Sequence, residues 1–129
     1  MTHRVFRALL AVGASFYTFE AALHGFGLAV LEHDKIFLPT HDRYIAIFAL
    51  TYAALLVLIA SNPTKHRSLF ILTMAGILLS MGNAALIAAG GGYASFGVLD
   101  LDADLSAIGI GAIIWFVATI VCAVPLYRK

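Results

Sequence analysis

Four long apolar runs dominate the 129-residue sequence, from Leu9 to Leu31, Tyr44 to Ala60, Leu69 to Gly90 and Ser106 to Tyr127. The hydrocarbon core of a bilayer is about 30 Å thick and an α-helix rises about 1.5 Å per residue, so a span takes about 20 mainly apolar residues. The second run is the shortest, and His41 to Arg43 extend it as a helical turn in the headgroup layer. Each connection carries the punctuation a helix end requires: Pro39 in the first, Asn62-Pro63 in the second, and Gly90-Gly91-Gly92 ahead of the third.

Composition closes the alternatives. Hydrophobic residues make up 62% of the chain and charged residues 12%, whereas a soluble domain carries about 45–50% and about 25%. Mean hydropathy is +0.97. Lipid therefore has to solvate most of the surface. Disorder is excluded by the same numbers, and a disulfide scaffold by the single cysteine, Cys122, which sits in an apolar run. The first run follows Arg4 and Arg7, but it is too long for a signal-peptide core, is interrupted by Glu20 and has no clean small-x-small cleavage site ahead of a hydrophilic mature region, so it reads as a retained helix. The expected fold is all-α: a single integral membrane four-helix bundle over residues 1–129.

Orientation follows from the basic residues. Arg4, Arg7, Lys65, Arg67, Arg128 and Lys129 fall on one side, against Lys35 and Arg43 on the other. The positive-inside rule then predicts both termini and the second connection in the cytoplasm. The acids Glu32, Asp34, Asp42, Asp100, Asp102 and Asp104 gather on the opposite side without having been used in the count. Only Glu20 lies inside a run.

Glu20 stands 13 residues beyond Arg7, roughly 20 Å along a helix and a little past the bilayer midplane. An ionised acid at a span centre costs at least about 2.5 kcal/mol on insertion scales, so it faces the bundle interior or a wet cavity, or stays protonated. His24 is one turn on at i+4 and Tyr17 one turn back at i−3, and with Gly13 and Gly27 they make one polar or small stripe on the first helix. The third helix carries a matching stripe of Thr73, Gly76, Ser80 and Asn83, with Asn83 at about the level of Glu20. The second helix lines up His41, Tyr44, Phe48 and Tyr52, and the fourth Trp115, Thr119 and Cys122. The sequence thus predicts an intramembrane polar site of Glu20, His24, Tyr17, Tyr52, Ser80 and Asn83, biased toward the outer leaflet. Small and hydroxylated residues at this spacing also serve as ordinary glue between membrane helices. Glu20 is the residue for which a functional reading is the default.

The first connection gathers metal-ligand residue types. Glu32, His33, Asp34, His41 and Asp42 lie within eleven positions, with His24 on the helix leading into them. Imidazole with carboxylate suits zinc, copper, iron or manganese, so His24, His33, Asp34, His41 and Asp42 are the candidate metal ligands. No HExxH, CxxC or repeated ExxH spacing supports them. A haem held by two histidines would have only His24 and His41 to use, and these sit at different depths. The Asp100-Leu-Asp-Ala-Asp segment begins like a calcium loop, but Leu105 and Gly111 occupy the positions that need glycine and an acid, so it is no EF-hand. Asp104 or Ser106 is better read as capping the fourth helix.

Lys65, His66 and Arg67 form a basic cluster too small for nucleic-acid binding and explained by topology and anionic headgroups. No phosphate loop, nucleophile elbow or Ser/His/Asp arrangement is evident. The chain has almost no extramembrane mass in which to build a catalytic domain. The leading expectation is a non-catalytic accessory or structural subunit of a larger membrane complex, or a homo-oligomer. Its partners would be the lipid bilayer and other membrane subunits or copies of itself. One alternative is a proton-coupled transporter or channel using Glu20. Another is a metal- or haem-binding redox subunit using His24, His33 and His41.

Overall fold

The computed structural model of the chain describes residues 2–28, 39–89 and 101–128. These fold into four helices: α1 (Thr2–Phe26), α2 (Pro39–Ser61), α3 (Arg67–Ala89) and α4 (Leu101–Tyr127). Three helical segments are long and apolar enough to cross a membrane, His3–Phe26, Pro39–Ser61 and Ile108–Tyr127, and a shorter apolar stretch, Arg67–Asn83, lies in α3.

The helix ends have local causes. α1 stops at Phe26, short of the Leu31 that hydropathy alone favours, because Gly27 takes φ 63°. That left-handed residue lets the Leu28 amide donate back to the Leu23 carbonyl at 2.9 Å, a Schellman closure that satisfies one of the carbonyls left over at a helix end. α2 opens on Pro39, whose fixed φ and missing N–H suit the first position of a helix. Between α2 and α3 the Asn62 side-chain oxygen accepts from the Lys65 amide and the Thr64 hydroxyl, both at 3.2 Å, and fixes a tight turn. α4 begins at Leu101 rather than at Ser106.

α1 packs most extensively on α2, then on α4, while α3 touches its neighbours less. Small residues suit the close pairing of α1 and α2: Ala46, Ala49 and Ala53 are buried on α2, Ala14 and Ala21 on α1, and Gly25 of α1 lies against Ala46. Arg7 donates to the Ser61 carbonyl at 3.2 Å at one end of this antiparallel pair. His24 bonds Asp42 at the other end. Arg7 and His24 are 17 residues apart, about 26 Å along a helix, close to the thickness of a hydrocarbon core.

The main core lies toward the Arg7 end. Phe6, Leu10, Leu56, Ile59, Phe70 and Met74 are buried there. The Phe6 and Phe70 rings meet edge to face at 5.3 Å, and Tyr127 joins them 5.5 Å from Phe70, in the offset arrangement aromatic quadrupoles favour. The Tyr127 hydroxyl donates to the Pro63 carbonyl at 2.9 Å, which ties the last turn of α4 to the α2–α3 turn. Midway along the bundle, the Trp115 indole N–H donates to the Leu9 carbonyl at 2.7 Å, and its ring lies directly on Gly13. Beyond that level α3 and α4 are less covered. Leu78, Leu79, Leu86, Ile110, Ile113 and Ile114 are all exposed.

Candidate functional site

The polar stripe of α1 meets the first turn of α2. The Schellman end of α1 sets His24 in its last turn, and the Pro39 start of α2 sets Asp42 one turn into that helix. The two side chains meet at 2.7 Å between His24 Nδ1 and Asp42 Oδ1, within the range of a charge-assisted bond. The bond across the two helices fixes the plane of the imidazole ring. The opposite ring nitrogen, Nε2, then faces Glu20 Oε2 at 3.6 Å. His24 is thus held between two carboxylates on two helices. All three side chains are largely shielded, with 12% of the His24 side chain, 16% of Glu20 and 9% of Asp42 exposed.

Below this cluster the polar groups continue as tyrosines. Tyr17, one turn before Glu20, lies with its ring 5.4 Å from that of Tyr52. The Tyr52 hydroxyl rests over Gly76 of α3, where an added Cβ would come within 2.6 Å of it. The small residue in the α3 stripe therefore makes room for a tyrosine from α2. Thr73 is buried as well. Further along the same stripe the side chains are uncovered: Ser80 and Asn83 are exposed, and the Ser80 hydroxyl turns back to the Gly76 carbonyl at 3.0 Å. The six residues the sequence groups into one polar layer are distributed accordingly. Glu20 and His24 are joined with Asp42, Tyr17 and Tyr52 form a pair beneath them, and Ser80 and Asn83 lie on the outside of α3.

Of the candidate metal ligands, His24 and Asp42 are brought into contact, His41 is exposed on α2, and His33 and Asp34 lie outside the described residues. Among the described residues no three His, Cys, Asp or Glu side chains converge on a common point. The sequence groups His24 and Asp42 in one candidate ligand set and puts Asp42 in the helical turn that extends the second run, but it does not show their direct pairing. Its one signal is the count of turns: Pro39 at a helix start puts Asp42 on the same end of the bundle as His24.

An apolar cleft of about 240 Å³ opens between α1, α3 and α4, walled by Phe16, Tyr17, Ile77, Met81, Gly111 and Trp115. Its floor is the Trp115 ring seated on Gly13.

The described chain is thus an all-helical protein of four helices, three of them able to cross a membrane. No family model, curated protein or solved structure matches the chain.

Proposed function

We propose that the chain is a four-span integral membrane protein with both termini in the cytoplasm, acting as a non-catalytic subunit of a larger membrane assembly or of a homo-oligomer. The observation that supports this reading is the uncovered face of α3. Ser80 and Asn83 are exposed there beside Leu78, Leu79 and Leu86. Asn83 stands 14 residues beyond Leu69, about 21 Å along the helix and well inside the hydrocarbon. An amide turned toward lipid leaves its hydrogen-bonding groups without water, which costs free energy that a partner helix offsets. The packing of α3 points the same way, since α3 touches this chain's other helices less than α1 and α2 touch each other. The six-to-two division of Lys and Arg between the two sides supports the orientation.

The test is purification from the native membrane in mild detergent, followed by mass measurement of the intact complex. A stoichiometric larger partner or a discrete oligomer is the expected result. Asn83→Leu, at an exposed position where the fold tolerates an apolar side chain, should weaken that association. A chain that behaves as a partnerless monomer before and after the substitution rules the proposal out.

A further inference from the structure

We infer that the end of the bundle where α1 begins and α4 finishes binds the phosphate-bearing headgroup of an anionic lipid, through Arg7, Arg67 and Arg128 from three helices and Lys65 from the α2–α3 turn. The packing beneath brings these residues together. Phe6, Phe70 and Tyr127 form one aromatic cluster, with ring centroids 5.3 Å apart for Phe6 and Phe70, 5.5 Å for Phe70 and Tyr127, and 6.3 Å for Phe6 and Tyr127. Arg7 directly follows Phe6, Arg128 directly follows Tyr127, and Arg67 lies less than one helical turn before Phe70. Cations distant in sequence therefore rim a single patch. The Arg67 guanidinium stands over the Tyr127 ring, 5.7 Å from its centroid, and the Tyr127 hydroxyl holds the turn that carries Lys65 through its bond to the Pro63 carbonyl. Arg7 is anchored at the end of α2, where it donates to the Ser61 carbonyl at 3.2 Å. That bond uses one of the five N–H groups of a guanidinium.

Charge and depth then select the ligand. Arg7, Lys65, Arg67 and Arg128 are all exposed, as is Arg4 at i−3 from Arg7 on α1. The described Asp and Glu residues lie outside these helix ends. Clustered cations with no acidic side chain beside them attract an anion, and the planar fork of arginine matches two oxygens of one phosphate. His3, Ser61 and Tyr127, which end the three segments able to cross a membrane, all belong to this end of the bundle. The rim therefore sits at headgroup level, where basic pockets between membrane helices take phosphate headgroups. Apolar surface continues inward from it: Val5, Ile71 and Val124, within a turn of the three rings in sequence, are exposed. A lipid covers that surface with its acyl chains, whereas a soluble phosphate does not. The inference rests on the membrane reading proposed above.

The test reconstitutes the purified full chain into vesicles of equal parts phosphatidylcholine and phosphatidylglycerol, extracts it in mild detergent and counts the lipids it retains by mass spectrometry. Phosphatidylglycerol should be retained in preference to phosphatidylcholine, less so as salt is raised and the charges are screened. Arg7→Gln and Arg67→Gln should each cut that preference about fivefold. Arg43→Gln, which removes an exposed cation at the opposite end of the bundle, should leave it unchanged. Circular dichroism confirms that each variant keeps its helices; if Arg7→Gln, which also loses the bond to Ser61, does not fold, Arg67→Gln and Lys65→Gln decide. Inorganic phosphate should displace the lipid no better than chloride at matched ionic strength, and specific displacement by phosphate would assign the patch to a soluble anion and overturn the inference. No preference for phosphatidylglycerol, or equal losses in Arg43→Gln and Arg67→Gln, overturns it too. An alkaline wash of vesicles made of phosphatidylcholine alone checks the membrane reading separately. A chain that stays in them yet shows no lipid preference sinks only this inference, whereas a chain that washes off sinks both.

Discussion

Gly13→Ala is a sensitive probe of how this bundle is put together. A Cβ at Gly13 would overlap the Trp115 ring at Cζ2, approach its Cε2 to 2.8 Å and the Leu56 Cδ1 to 3.1 Å. The indole is restrained from yielding by its N–H bond to the Leu9 carbonyl one turn away. Inserting a methyl group into such a contact costs about 1–3 kcal/mol in overpacking, and loss of the indole hydrogen bond adds about 0.5–1.5 kcal/mol. Replacing a helical glycine by alanine returns about 1 kcal/mol. The net expectation is a loss of roughly 1–3 kcal/mol, or a fall of about 5- to 150-fold in the folded-to-unfolded ratio. Gly82→Ala on α3 is the control: nothing lies within 4 Å of its Cβ, so it should be neutral or slightly stabilising. Equilibrium unfolding in mixed micelles provides the measurement. Trp115 is the only tryptophan in the chain, so its emission reports on this contact alone. Trp115→Phe removes the clashing atoms, so combining it with Gly13→Ala should recover at least 1 kcal/mol of the loss in a double-mutant cycle read by circular dichroism. Equal stabilities for Gly13→Ala and Gly82→Ala, or no coupling between positions 13 and 115, would refute the idea that α4 seats on α1 through this glycine.

Three further outcomes follow from the same contacts. Tyr127→Phe keeps the ring beside Phe6 and Phe70 but deletes the 2.9 Å bond to the Pro63 carbonyl, so unfolding should show a loss of about 0.5–1.5 kcal/mol, while Tyr127→Ala should cost more. The two ties between α1 and α2 should differ: Asp42→Ala strips a shielded histidine of its acceptor and should cost about 1–3 kcal/mol, whereas Arg7→Ala removes only an exposed bond and should change stability by about 0.5 kcal/mol or less. For the orientation, single cysteines at the exposed positions Thr64 and Thr40, placed in a Cys122→Ala background, should react differently with a membrane-impermeant maleimide. Thr40→Cys should label in intact cells and Thr64→Cys only after permeabilisation; the reverse pattern overturns the topology.

Hydrophobic length and loop punctuation are local properties, so the helical, apolar character of the chain and the places of its four helices were legible in the residues alone. Helix ends were less legible. The stop at Phe26 depends on Gly27 adopting a left-handed conformation, which a hydropathy pattern does not encode. Glu20, His24 and Tyr17 were readable as one stripe because helical periodicity puts them there. What they face was not, since the rotation of one helix about its axis relative to another is set by packing. The small residues of α2, Ala46, Ala49 and Ala53, pull α1 in close and thereby bring Asp42 to His24. Gly76 admits the Tyr52 hydroxyl, and Gly13 admits the Trp115 ring; each glycine was visible in a stripe, but the side chain that fills the space comes from a helix distant in sequence. Ser80 and Asn83 share the stripe of Thr73 and Gly76, yet Thr73 is buried while Ser80 and Asn83 are exposed. Periodicity thus fixed which residues share a face. Which faces meet emerged with the packing, because contact between helices depends on volumes and approach distances contributed by both partners.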